Sequence, residues 1–172
     1  ILGYGELGKA CAQKLFNNGF KVSAWAQSGK NVTGVDIFYA EQGLSNMLPN
    51  VDYLVCLLPL TQATQGIING SLLSKLPEHA VVINVARGGH VVEQDLLNAL
   101  NNNTLRGATL DVFEQEPLAQ EHPYWCHPKV TLTPHCAALS DIDSVIDQIA
   151  KNVECLNQGV SLNNTIDRTK GY

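Results

Sequence analysis

Short apolar runs alternate along this chain with stretches of helical periodicity. The runs at 21–25, 35–38, 52–58, 80–85, 107–111 and 130–133 read as strands. Several are apolar almost throughout, as in Val81-Val82-Ile83-Asn84-Val85. That is the pattern of strands buried on both faces of a parallel sheet. Between them, 7–18, 44–47, 71–75, 93–101 and 141–157 read as helices. In the first of these, Leu7, Ala10, Cys11, Lys14, Leu15 and Asn18 recur at helical spacing, and Gly19 ends the helix. Asp141, Asp143 and Asp147 open the last helix, where acids suit the helix dipole. Strands and helices in alternation predict an α/β fold with a doubly wound parallel sheet. The polar stretch 161–172 is expected to be irregular.

The chain opens on Ile1-Leu2-Gly3-Tyr4-Gly5-Glu6-Leu7-Gly8, a G-x-G-x-x-G fingerprint followed by the first helix. Each glycine has its own task. Gly3 permits the turn out of a strand, Gly5 lets a pyrophosphate approach the backbone, and Gly8 lets the helix pack on the sheet. The helix start offers N–H groups and a positive dipole end to phosphate. The sheet is therefore expected to be Rossmann-like. A first strand normally runs about five residues, and only Ile1 and Leu2 precede Gly3. The expectation is a cofactor-binding domain of a larger, two-domain enzyme, spanning 1–159 with a tail at 160–172 and with the sequence before the fingerprint absent.

Composition narrows the function classes. The 172 residues suffice for one domain with a sizeable core. The net charge of −5 gives no basic footprint for nucleic acid. No apolar run approaches the roughly 20 residues of a membrane span. Five cysteines, Cys11, Cys56, Cys126, Cys136 and Cys155, form no C-x-x-C pair and read as reduced core thiols of a cytoplasmic protein. His79, His90, His122 and His127 lack ligand spacing and read as structural or surface residues, so no metal site is expected.

In a doubly wound sheet the ligand lies outside the carboxyl ends of the strands. There the chain places Leu58-Pro59-Leu60-Thr61, Asn84-Val85-Ala86-Arg87-Gly88-Gly89, Asp111-Val112-Phe113 and Thr133-Pro134-His135. One edge thus collects a cation, carboxylates, a histidine and backbone amides.

With Thr64, Gly66-Ile67-Ile68 and Glu116-Pro117-Leu118, these segments resemble the D-2-hydroxyacid dehydrogenase family in order and spacing. The likeness covers essentially the whole chain, and the ending 166–172 resembles the natural C-terminus of one group within that family. The resemblance implies NAD(P)H-dependent reduction of a small 2-keto acid of the glyoxylate or hydroxypyruvate type. It also implies a catalytic set of Arg87, Glu116 and His135. The chemistry suits them. An unperturbed imidazole titrates near neutrality and can give the carbonyl oxygen its proton. A carboxylate beside an imidazole favours its charged form. A guanidinium fork grips a keto acid through paired N–H groups.

The resemblance assigns the pyrophosphate to backbone at Gly5, Glu6 and Leu7, the adenine side to Leu58 and Pro59, and phosphates or ribose to Thr64. It sets Val85, Ala86 and Asp111 near the nicotinamide, with Asp111 on the carboxamide. An NAD site usually carries an acid about 20 positions after the fingerprint. Here Trp25-Ala26-Gln27-Ser28-Gly29-Lys30 has none. Gln27, Ser28 and Lys30 suit a 2′-phosphate, so NADP is expected over NAD. The family also implies a homodimer, to which the segment around Tyr124 and Trp125 would contribute. Two other readings compete: a non-catalytic dinucleotide-sensing regulator, which needs no acid catalyst, and a nicotinamide enzyme acting on phosphite or formate.

Overall fold

The computed structural model describes residues 1–27, 34–138 and 140–168. The chain divides into two compact units, Ile1–His135 and Cys136–Tyr172, against an expected boundary at 159/160.

The first unit carries the sheet. Its strands are β1 (Val22–Ala26), β2 (Val35–Tyr39), β3 (Tyr53–Cys56), β4 (Val81–Asn84), β5 (Gly107–Leu110) and β6 (Val130–Leu132). Its helices are α1 (Glu6–Asn17), α2 (Ala40–Met47), α3 (Gly70–Leu73) and α4 (Glu93–Asn101). β1 pairs with β2, and β3, β4, β5 and β6 follow one another, all parallel. Leu2 joins the two halves through parallel bridges to Trp25 and Cys56. Four backbone hydrogen bonds make the joint. Leu2 N–H donates to Val55 O at 2.7 Å, and Leu57 N–H to Leu2 O at 2.8 Å. Gly3 N–H donates to Trp25 O at 2.9 Å, and Trp25 N–H to Ile1 O at 2.8 Å. Two residues thus take the place of the first strand. The strand order reverses beside them, which is where a doubly wound sheet opens its ligand crevice.

Burial departs from the expectation of strands covered on both faces. In β4, Val82 and Asn84 are buried while Val81 and Ile83 are half-buried. The larger core holds Leu2, Leu54, Cys56 and Val82 against Met47 of α2, Leu72 and Leu73 of α3, and Leu96 and Leu100 of α4. The other face keeps a small cluster, Ile1, Ala12, Val22 and Ala24, under α1. The helices of this unit are thus divided unequally, and an apolar run records hydrophobicity without recording which face is covered.

α2 begins four residues earlier than its pattern suggests. Gly43 lowers helical propensity there, and a Cβ on it would stand 3.3 Å from the Phe38 backbone, so glycine lets the helix lie closely on β2. Three short 3-10 turns, Leu48–Asn50, Gly88–His90 and Pro123–Cys126, have no periodicity that announces them.

In the second unit, α5 (Ile142–Asn157) is capped by Asp141, whose Oδ2 accepts Ser144 N–H at 3.0 Å. The Ser144 hydroxyl and N–H hold the Asp141 carboxyl below its ordinary range. Asn152 Oδ1 accepts Asn163 N–H at 2.9 Å and anchors a tail without helix or strand as far as Arg168; residues 169–172 lie outside the described residues. Among the described residues no helix is long and apolar enough to cross a membrane. The cysteines are all free thiols, but only Cys56 is buried, and burial pushes it up to about 11. Cys126, the last residue of the Pro123–Cys126 turn, and Cys136, in the irregular stretch after β6, are exposed, which corrects the expectation of core thiols throughout.

Candidate active site

The glycine-rich turn is built by contact as much as by flexibility. Gly3 sits at φ +97°, a conformation that L side chains avoid, and a Cβ there would lie 2.9 Å from Leu57 O. A Cβ on Gly8 would lie 2.1 Å from Gly3 O, so α1 can start against the turn only with glycine at that position. Gly5, the N-cap, has nothing within 4 Å of where a Cβ would be, and no side chain caps the helix. Glu6 turns its carboxylate to Lys9 Nζ, 2.8 Å away at the surface. Open space over Gly5 and the uncapped N–H groups of Glu6 and Leu7 fit a pyrophosphate.

Gln27 follows β1 and is exposed, whereas Ser28 and Lys30 lie outside the described residues. In the loop after β3, Leu58, Pro59 and Thr64 are half-buried. Thr64 Oγ1 donates to Pro59 O at 2.6 Å and accepts Thr61 N–H at 2.9 Å. Thr64, expected at the phosphates or ribose, holds the turn of its own loop through these bonds.

β4 ends at Asn84, a fully buried polar residue. Asn84 Nδ2 donates to Arg87 O at 2.9 Å, and Asn84 Oδ1 accepts Ala86 N–H at 3.2 Å. The side chain thereby folds Val85 and Ala86 into a turn that leaves Arg87 exposed at the sheet end. Arg87 Nη1 donates to Ala86 O at 2.6 Å, which steadies the guanidinium on its own loop. Gly88 packs directly on the next loop: a Cβ there would fall 1.8 Å from Phe113 C and 2.2 Å from Glu114 N.

That second loop carries Glu116. Its Oε1 accepts Phe113 N–H at 3.0 Å, and its Oε2 lies 2.8 Å from His135 Nδ1. His135 has a φ of 53°, and its N–H donates to Asp111 O at 2.9 Å. Asp111 is buried and accepts Thr133 Oγ1–H at 2.5 Å. Of the expected set, Glu116 and His135 are in contact. Arg87 is near enough for its charge to act on Glu116. Asn84, Thr133 and Gly88 were part of recognisable segments but carried no role in the sequence reading. A polar residue ending an apolar strand was the available signal for Asn84.

His135 first, then Phe113 N–H, hold the Glu116 carboxyl below its ordinary value of 4.5. A carboxyl whose folded pKa is depressed stabilises the fold above its unfolded value and loses that contribution as pH falls through the folded value. Glu116→Gln is therefore expected to lower the melting temperature near neutral pH, with the gap closing on acidification below about pH 4.5. The pair is part-exposed, so the gap is small. Melting curves across a pH series measure it, and a gap of equal size at every pH would assign the loss to packing.

Elsewhere His79 pairs with Asp52 at 2.8 Å, His122 with Glu93 at 3.3 Å, and His127 with Asn101 at 3.3 Å. Among the described residues no three His, Cys, Asp or Glu converge on one point. Tyr124 is buried, its hydroxyl without a hydrogen-bond partner and its pKa raised by burial. Of the segment expected to help form a dimer surface, it is Trp125 that is exposed.

A family model described as "D-isomer specific 2-hydroxyacid dehydrogenase, NAD binding domain" matches residues 1–137. The chain belongs to that family. A glyoxylate/hydroxypyruvate reductase A of Serratia proteamaculans is 46% identical over 172 residues, which are all of this chain and 55% of that protein. The NADPH-dependent glyoxylate/hydroxypyruvate reductase of Sinorhizobium meliloti, solved with NADP and sulfate, superposes with a TM-score of 0.93 at 40% identity, over 99% of this chain and 55% of that one. A D-isomer specific 2-hydroxyacid dehydrogenase of Xanthobacter autotrophicus Py2, solved with NADPH and MES, gives a TM-score of 0.95 at 38% identity, over 99% and 71%. The D-isomer specific 2-hydroxyacid dehydrogenase fold expected from the fingerprint and strand ends is therefore present. The chain spans 55% of the length of the curated relatives it matches.

Proposed function

We propose that this chain holds a nicotinamide dinucleotide, NADP(H) in preference to NAD(H), for the reduction of a small 2-keto acid of the glyoxylate or hydroxypyruvate type. The carrying observation is the 2.8 Å pairing of His135 Nδ1 with Glu116 Oε2, beside the loop that presents Arg87. Backbone at Gly5, Glu6 and Leu7 binds the pyrophosphate, and Gln27 lies toward the 2′-phosphate. Leu58 and Pro59 flank the adenine side, and Val85, Ala86 and Asp111 the nicotinamide side. When bound, the dinucleotide supplies a hydride to the keto carbon.

Arg87 grips the keto acid through N–H groups that Ala86 O does not use. Glu116 takes the Nδ1 proton of His135 in a hydrogen bond, which fixes the ring and leaves Nε2 to protonate the carbonyl oxygen. A sensor of dinucleotides needs no such pair, which counts against the regulatory reading. The same reading carries a homodimer, with Trp125 on the surface offered, and a cytoplasmic location.

Titrating the protein with NADPH and NADH, followed by tryptophan fluorescence, tests the cofactor half. The reporter is Trp25, which bridges to Leu2 beside the phosphate turn. Tighter binding of NADPH is expected. Tighter binding of NADH would reverse the preference while keeping the site.

A further inference from the structure

His90 is fully buried and belongs to neither the expected catalytic nor the expected cofactor residues. Its ring lies between two loops of the site. Nδ1 is 3.0 Å from Arg87 O, and Nε2 is 3.3 Å from Pro59 O. Both partners are carbonyl oxygens, which only accept. A neutral ring with its proton on Nδ1 grips the arginine loop, and with its proton on Nε2 it grips the loop after β3. The backbone repeats the connection further along: Gly66 N–H donates to Gly89 O at 2.8 Å and Ile68 N–H to His90 O at 2.9 Å. Those bonds tie residues 66–68 to 89–92, the Leu60 side chain packs over Gly89, and the imidazole adds a polar contact to Pro59 O.

We propose that His90 is a positioning residue, a strut that sets the separation between the dinucleotide-flanking loop at Pro59 and the substrate-holding loop at Arg87. The proposal rests on the reading of those loops given under Proposed function. The strut is not needed to satisfy the carbonyls. Arg87 O also accepts Asn84 Nδ2–H at 2.9 Å, and Pro59 O accepts Thr64 Oγ1–H at 2.6 Å. Removing the ring's N–H therefore leaves neither oxygen without a partner, and both loops persist without the link between Pro59 and Arg87. A residue that merely fills the core would be replaced by an apolar side chain of similar size without effect on function.

The two ring nitrogens can be tested separately. His90→Leu removes the ring's N–H whichever nitrogen carries it. An asparagine amide takes the place of Nδ1–H, and a glutamine amide that of Nε2–H. Melting temperature and NADPH affinity are measured on the chain, and kcat and KM for glyoxylate on a protein of its relatives' length that includes it. His90→Leu is expected to melt close to the wild type. Its NADPH affinity is expected to fall by about fivefold, as for one lost hydrogen bond, and its kcat by roughly 10- to 100-fold, as for a misplaced reacting group. His90→Gln is expected to restore NADPH affinity but not kcat, and His90→Asn to restore kcat but not NADPH affinity.

That crossed pattern is one that loss of packing alone cannot produce. Leucine with wild-type affinity and kcat would overturn the strut. So would Gln and Asn variants whose two readouts fall together with melting temperature. A wild type that binds NADPH but reduces no 2-keto acid would overturn the proposed reaction, and the binding arm would then decide the strut by itself. A wild type that binds no dinucleotide would overturn both.

Discussion

Gly88→Ala is expected to damage the site more than any other one-methyl change. Its Cβ would have to occupy a point 1.8 Å from Phe113 C and 2.0 Å from Phe113 O, atoms of a backbone that cannot swing aside. The arginine loop and the Glu116 loop must part. Overpacking of this kind costs about 1–3 kcal/mol, occasionally more, and the upper end is expected where the obstacle is main chain. The functional loss is expected to exceed the loss of stability. Parting the loops moves Arg87 away from Glu116 and His135, and a displacement of about 1 Å can cost roughly 10²-fold in rate. Denaturant unfolding and steady-state kinetics on the same variant, in a protein of its relatives' length, measure the two effects. A variant that loses stability while keeping kcat would show that Arg87 and the Glu116–His135 pair need not be held together.

His135→Asn is expected to lower kcat by about 10² to 10⁴-fold, the contribution of a positioned general acid. Asparagine is the informative replacement because the residue sits at φ 53°, a conformation that Asn tolerates better than most non-glycine residues. The backbone bond from residue 135 to Asp111 O can then persist. NADPH affinity is expected to stay near the wild-type value, since no phosphate-binding group is touched. Single-turnover reduction and a fluorescence titration separate these outcomes. A kcat reduced by less than about tenfold would place the proton donor elsewhere.

Much of this could be read from the residues, and the misses share a cause. Strands and helices were legible because hydrophobic periodicity is local, and all six strands fall within the expected runs or one residue beyond them. The edge carrying Arg87, Asp111, Glu116 and His135 was legible because a parallel sheet sends its strand ends to one side. Gly88 and His90 were not. The importance of Gly88 lies in a peptide 25 positions further on, and that of His90 in a carbonyl 31 positions earlier. The bond from Thr64 Oγ1 to Pro59 O, which shapes the loop after β3, is equally invisible in the sequence, where the hydroxyl shows only its polarity. The uneven covering of the sheet escaped notice for a related reason. Val81, Ile83 and their neighbours have the same hydrophobicity whether or not a helix lies over them.

The joint at Leu2 bears on how the fingerprint comes to exist during folding. The two bridges close intervals of 23 and 54 residues, and pairings this distant in sequence carry a loop-closure cost that local helices do not. The turn at Gly3 is held by Trp25 O on one side and crowded by Leu57 O on the other. A peptide containing only the first eighteen residues would therefore have the right sequence and no reason to adopt the right shape. The glycine-rich turn has little autonomous stability. It is expected to form only with sheet closure and to last for as long as the strands on both flanks stay paired.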